Sequence, residues 1–138
     1  MGIIYADITL KNADEMALVR KGEMHESEVK TISVNAMCDS GAFMLAVPEH
    51  IATQLDLPQV EIREFRMADG SSTRLPVVGP VWINFKNRQT VCLAVATKDS
   101  EVLLGAIPME DMDVVLDMKN QQMDINPDSP YYATMKMK

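Results

Sequence analysis

Apolar and polar residues alternate with a period of two over most of this chain, and that pattern restricts it to a fold built of half-buried strands. Ile4, Ala6, Ile8 and Leu10 mark a first strand over residues 3–10. Ile32, Val34, Ala36 and Cys38 mark another, running from Val29 to Cys38. Leu75, Val77, Val81, Ile83 and Phe85 alternate again, and the turn Lys86-Asn87-Arg88-Gln89 leads to Val91, Leu93 and Val95. Met16 to Val19 reads as a short extra strand after the turn residues Asn12-Ala13-Asp14, and Lys21 to Glu28 as a charged loop. Val60 and Ile62 have one parity and Phe65 and Met67 the other, which places a bulge between Ile62 and Phe65. Pro76 and Pro80 make the return strand partly an edge, because proline cannot donate to a ladder. Helical signals are few. Pro48 suits a first helical position, Ile51 and Leu55 share a face, and Pro58 ends the segment. Pro108 to Met112 reads as a helical turn, and Asp113–Asp117 and Gln121–Ile125 as a last hairpin. The expectation is an all-β domain over 1–127, a small closed barrel with one or two short helices, followed by a loosely ordered tail over 128–138.

A chain of 138 residues fits one domain with a real core, and its 47% apolar content is that of globular proteins. No apolar run approaches the roughly 20 residues that cross a bilayer. The start of the chain has no basic segment of signal-peptide type, so a cytoplasmic location without membrane attachment is expected. The net charge is −7, and no basic cluster exceeds Arg20-Lys21. Nucleic-acid binding, which needs cations to displace counterions from phosphates, is therefore not expected. Cys38 and Cys92 lie inside apolar runs and read as buried, reduced thiols.

The strand ending at Cys38 delivers Asp39-Ser40-Gly41-Ala42. Alone, these are turn residues. Their context adds a possible chemistry. A turn at Ala68-Asp69-Gly70 forms a hairpin tip downstream, and the apolar strand Val102-Leu103-Leu104 ends in Gly105 further on. Hydrolysis by carboxylates needs two of them: one ionised to take a proton from water, the other protonated to polarise the carbonyl. Two carboxyls about 3 Å apart share a proton and so divide those roles. This chain carries the aspartate motif once, so the chemistry needs two chains.

The order of aspartate loop, hairpin and Leu103-Leu104-Gly105 strand, closing on Val114-Val115-Leu116-Asp117, resembles the retropepsin-like aspartic proteases, in particular their small bacterial and archaeal single-domain members. The resemblance covers roughly residues 3–127. It implies a barrel of the acid-protease type and a homodimeric endopeptidase that acts on polypeptides with no metal and no cofactor. It makes Asp39 the catalytic carboxylate and Ser40, Gly41 and Ala42 the supporting loop, with the Ser40 hydroxyl gripping the facing chain. It gives Ala68, Asp69 and Gly70 to a flap over the substrate. Leu103, Leu104 and Gly105 would support the loop and line the cleft.

Two departures stand beside it. Cys38 replaces a larger aliphatic residue, and Phe43-Met44-Leu45 is bulkier and less polar than usual. The second of these motivates an alternative: a catalytically inactive, protease-like dimeric module whose groove binds a peptide or protein. Other chemistries find no constellation. His25 and His50 have no companions at metal-ligand spacing, Ser71-Ser72 has no paired histidine, and no cue activates either thiol. Glu110-Asp111, Asp113 and Asp117 read as solvated charge, the twelve methionines as core filler, and Trp82 as facing away from Val81 and Ile83.

Overall fold

The computed structural model describes residues 2–137. Its strands are β1 (Ile4–Asn12), β2 (Thr31–Cys38), β3 (Leu45–Pro48), β4 (Gln59–Arg66), β5 (Ser72–Phe85), β6 (Arg88–Thr97), β7 (Leu103–Leu104), β8 (Val114–Asp117) and β9 (Gln122–Ile125). The helices are α1 (Ala13–Arg20), α2 (Glu49–Gln54) and α3 (Ala106–Asp111). None is long and apolar enough to cross a membrane.

Six strands form a ring in the order β1-β2-β7-β3-β6-β5, closed by the pairing of β5 back onto β1 from Thr9↔Asn84 to Asn12↔Val81. Two of the seams are parallel, β2–β7 and β3–β6. The inward side chains of the alternating runs fill the ring, with Leu10, Leu45, Ile83 and Leu104 fully buried. The long β5 serves two structures. Its second half belongs to the ring, while Ser72–Val78 pairs with β4 to form a hairpin whose outer strand is exposed almost throughout. Pro76 lies opposite Ile62 of β4, one residue before the pairing with β6 begins at Val77, and Pro80 lies in the register shift between Val78 and Val81, so β5 has no β6 partner at either proline. β8 and β9 form a separate hairpin, and Met123 carries it into the core.

Several expectations need correction. Residues 13–20 are a helix and not a strand: Asn12 caps it by accepting from the Glu15 N–H at 3.0 Å, Asp14 and Glu15 sit in its first turn, and Arg20 in its last. With it the described residues hold three short α-helices where one or two were expected. The register shift in β4 falls between Gln59 and Glu61, before the predicted position, because an exposed strand has no buried face to hold its parity. Cys38 and Cys92 are free but only part-buried.

The tail is not loose at its start. Ser129 is buried, and Arg88, read as a turn residue, is 1% exposed and donates through Nη2 to the Ser129 carbonyl. Asp113 completes the junction. Its carboxylate accepts from Ser129 Oγ at 2.6 Å, Thr134 N at 3.0 Å and Asn126 Nδ2 at 3.1 Å, and lies 3.7 Å from Arg88 Nη2. These donors hold the Asp113 carboxyl down to about 2, the Ser129 hydroxyl contributing most. Asp113 is thus a knot between the barrel and the last residues, not a member of a solvated cluster.

Candidate active site

Asp39 follows directly on β2, where the strand ends against β7. Its own N–H donates to the Leu104 carbonyl at 2.9 Å, and Met37 N–H donates to Val102 O at 2.9 Å, so the parallel seam continues into the loop. The carboxylate Oδ1 accepts the Gly41 N–H at 2.9 Å, and Ala42 N–H returns to Asp39 O at 3.2 Å. The loop leaves over α3: Ala106 N–H donates to Ala42 O at 2.7 Å and Ile107 N–H to Phe43 O at 2.9 Å. Asp39, Ser40, Gly41 and Ala42 are therefore held by main-chain bonds on both sides. A carboxylate that accepts a backbone N–H has one oxygen aimed and the other free.

Gly105 is what permits the crossing. A Cβ there would lie 2.4 Å from Met44 O and 2.7 Å from Phe43 C, closer than side-chain atoms come to backbone. Leu104 beneath it is 0% exposed. Both residues therefore sit under the loop, and the expectation that they line an open cleft is corrected. Leu103, by contrast, lines a surface cavity.

Asp39 is partly exposed and opens onto a cleft of about 310 Å³ bounded by Ile3, Met37, Ser40, Leu116 and Met118. The bulky Phe43 does not wall it. Phe43 is 74% exposed and is not among the residues that line the cleft, while Met44 meets Arg63 Nη1 of β4 at 3.6 Å. That contact ties the hairpin's outer strand to the segment following the aspartate motif. Ala68, Asp69 and Gly70 form the exposed tip of the β4–β5 hairpin. Met67 N–H donates to Ser71 O at 2.7 Å, Gly70 takes φ +88°, and Asp69 Oδ1 accepts from Ser71 N at 2.9 Å and Oγ at 2.6 Å. The same two donors lower the Asp69 carboxyl below its ordinary value, the hydroxyl first.

The thiols supply no nucleophile. Burial pushes Cys38 up to about 11, and burial aided by Asp111 pushes Cys92 up to about 12. Cys38 Sγ sits 3.9 Å from Met123 Sδ as a packing contact. One set of residues near Asp39 escaped the sequence reading. Tyr5 of β1 donates its hydroxyl at 3.0 Å to Oε1 of Glu101, which borders a second cavity that shares Met37 with the Asp39 cleft. Nothing in the alternation of β1 marks Tyr5, since it occupies an ordinary outward position.

No protein-family model matches the chain, and no curated protein matches it by sequence. Solved structures do match. The protease of simian foamy virus (mac) aligns at 16% identity with a TM-score of 0.46, covering 75% of this chain and 90% of its own. The retroviral protease-like domain of Ddi1 from Leishmania major aligns at 13% identity with a TM-score of 0.56, covering 92% of this chain and 90% of its own. At such identities the likeness speaks of architecture alone, and the Leishmania domain, which aligns over most of both chains, gives that architecture as a retropepsin-like fold.

Proposed function

We propose that the chain is a homodimeric aspartic endopeptidase in which each protomer contributes one Asp39. The observation that carries this reading is the placement of Asp39: on a retropepsin-like fold, in a loop tied to β7 through Leu104 and to α3 through Ala42, with its carboxylate open to a cleft. Ile3, Leu116 and Met118 border that cleft, and Ile3 and Met118 are exposed apolar side chains with no cover of their own. A second copy docked across them brings the two aspartates face to face. One carboxylate, ionised, takes the proton of the attacking water. The other, protonated, donates to the scissile carbonyl oxygen, and after attack the proton is returned to the leaving nitrogen. Ser40 and Gly41 brace the loop against its twin. The substrate lies extended beneath the hairpin tip Ala68-Asp69-Gly70, adding a strand whose main-chain bonds give affinity. The pH–rate profile of such a pair is bell-shaped, because the two protons leave in coupled steps.

The test compares the unmutated protein with Asp39→Asn on a denatured protein mixture from about pH 3 to pH 7, a range that includes the upper titration step of carboxylate dyads. Cleavage by the first alone, inhibited by a statine-type peptide, is expected. Equal product from both removes Asp39 from the chemistry, and a strictly monomeric sedimentation profile at micromolar concentration removes the dimer.

The inactive, peptide-binding alternative rests on the exposure of Phe43, an aromatic anchor free to enter a partner groove. It predicts dimers that bind extended peptides with no cleavage at any pH.

A further inference from the structure

Beside the Asp39 cleft lies a cavity of about 250 Å³, floored by Met37, Ala46 and Leu103 and rimmed by Asp99, Ser100 and Glu101. We infer that this cavity is a specificity pocket for a cationic side chain, lysine or arginine, of the bound polypeptide, with Glu101 and Asp99 as the residues that select it. The inference rests on the reading of Asp39 as a protease aspartate, and it names the substrate class of that same site.

Three observations carry it. The first is continuity. Met37 lines both cavities and stands two residues before Asp39 on β2, with Leu103 opposite it in register. A polypeptide held at Asp39 therefore passes the mouth of the second cavity. The second is size. The volume falls below the roughly 300–1,000 Å³ of sites for whole small molecules and suits a single side chain. The third is the division of its chemistry. The floor is aliphatic and thioether, while the rim carries two carboxylates and a hydroxyl. Lysine and arginine have that same division, an apolar stem that packs and a charged head that stays near water. An aliphatic side chain would fill the floor and leave the rim unanswered.

The rim is also free to answer. Glu15, Glu26, Glu61, Glu64, Asp113 and Asp124 all have cationic partners within the chain, whereas Asp99 and Glu101 have none among the described residues. The Tyr5 hydroxyl occupies Glu101 Oε1 and fixes the direction of the carboxylate, leaving Oε2 without a partner among those residues. A carboxylate held in this way meets an incoming guanidinium or ammonium without first having to be ordered.

The experiment uses the full chain carrying Asp39→Asn, so that peptides bind without being cut. The probes are fluorescein-labelled decapeptides with apolar flanks, in which lysine or its uncharged counterpart norleucine is moved through the four central positions. Fluorescence anisotropy is expected to show at least tenfold tighter binding of lysine over norleucine at one or more positions. The ratio should shrink as salt is raised and the rim charges are screened. It should collapse toward one in Asp99→Asn/Glu101→Gln, fall in part in Tyr5→Phe, and persist in the distant Asp128→Asn. Equal binding of the two series, absence of binding by both, or a preference that survives the double substitution overturns the pocket assignment. Catalysis is judged separately by comparing cleavage with and without Asp39, so the two readings fail by different measurements.

Discussion

At the scale of single residues, the loop that presents Asp39 depends on an absent atom. Gly105→Ala places a methyl group 2.4 Å from Met44 O, a backbone atom that cannot swing aside. We expect a loss of about 3 kcal/mol, at the upper end for overpacking, measured by urea unfolding. Gly41→Ala meets only Asp39 Oδ1, at 3.2 Å, and should change stability by less than about 0.5 kcal/mol in the same measurement. The sequence makes Gly105 conspicuous as the end of an apolar strand, but the reason for it, the backbone of Phe43 and Met44 passing overhead, belongs to three dimensions. Arg88 is the opposite case. Written beside Lys86 and Asn87 it looks like turn charge, and its burial is explained by the carbonyls of Asp113 and Ser129, far along the chain, that accept from its Nη2.

At the scale of elements, the ring strands were legible because each has one wet and one dry face, which prints itself as alternation. α1 was not, because Met16-Ala17-Leu18-Val19 is an unbroken apolar run that suits strand or helix equally. The signal that decides it is Asn12 with Glu15 three residues on, a capping pattern. Asn12 does more than cap. Its Nδ2 donates to Leu55 O at 2.9 Å and Asp56 O at 3.2 Å, joining β1 to the end of α2. Asn12→Ala removes the cap and orphans those carbonyls; about 2–4 kcal/mol of stability should be lost in chemical denaturation, and Asn12→Asp, which keeps the cap alone, should recover only part of it. The β4–β5 hairpin gave its tip away through Asp69-Gly70 but misled about its bulge, since exposure removes the constraint from which parity is read. Its amides from Gln59 to Arg66 should exchange with solvent well before those of Val81–Phe85, and Asp69→Ala should speed exchange at Ser71 without altering the unfolding midpoint.

For the molecule as a whole, the all-β class and the retropepsin-like plan were visible in the order of the motifs, whereas the fastening of the last residues was not, because it runs through side-chain bonds between segments distant in sequence. That fastening has a pH signature. The Asp113 carboxyl lies at about 2 in the folded chain, against an ordinary 3.8. A group so depressed stabilises the fold at pH values above 3.8, and its contribution is lost as pH falls through about 2. Hydrogen exchange at Thr134 should therefore stay slow through mild acid and rise between about pH 4 and pH 2, whereas Asp113→Asn should show fast exchange and no such step.

The bond from Asp39 to Leu104 has one more consequence, for the chain's birth at the ribosome. Synthesis delivers the acid early, while the strand and glycine that cradle it are among the later residues to emerge. A half-made polypeptide thus holds Asp39 without the carbonyl that seats it, and the loop takes its shape only once Leu104 and Gly105 have left the tunnel.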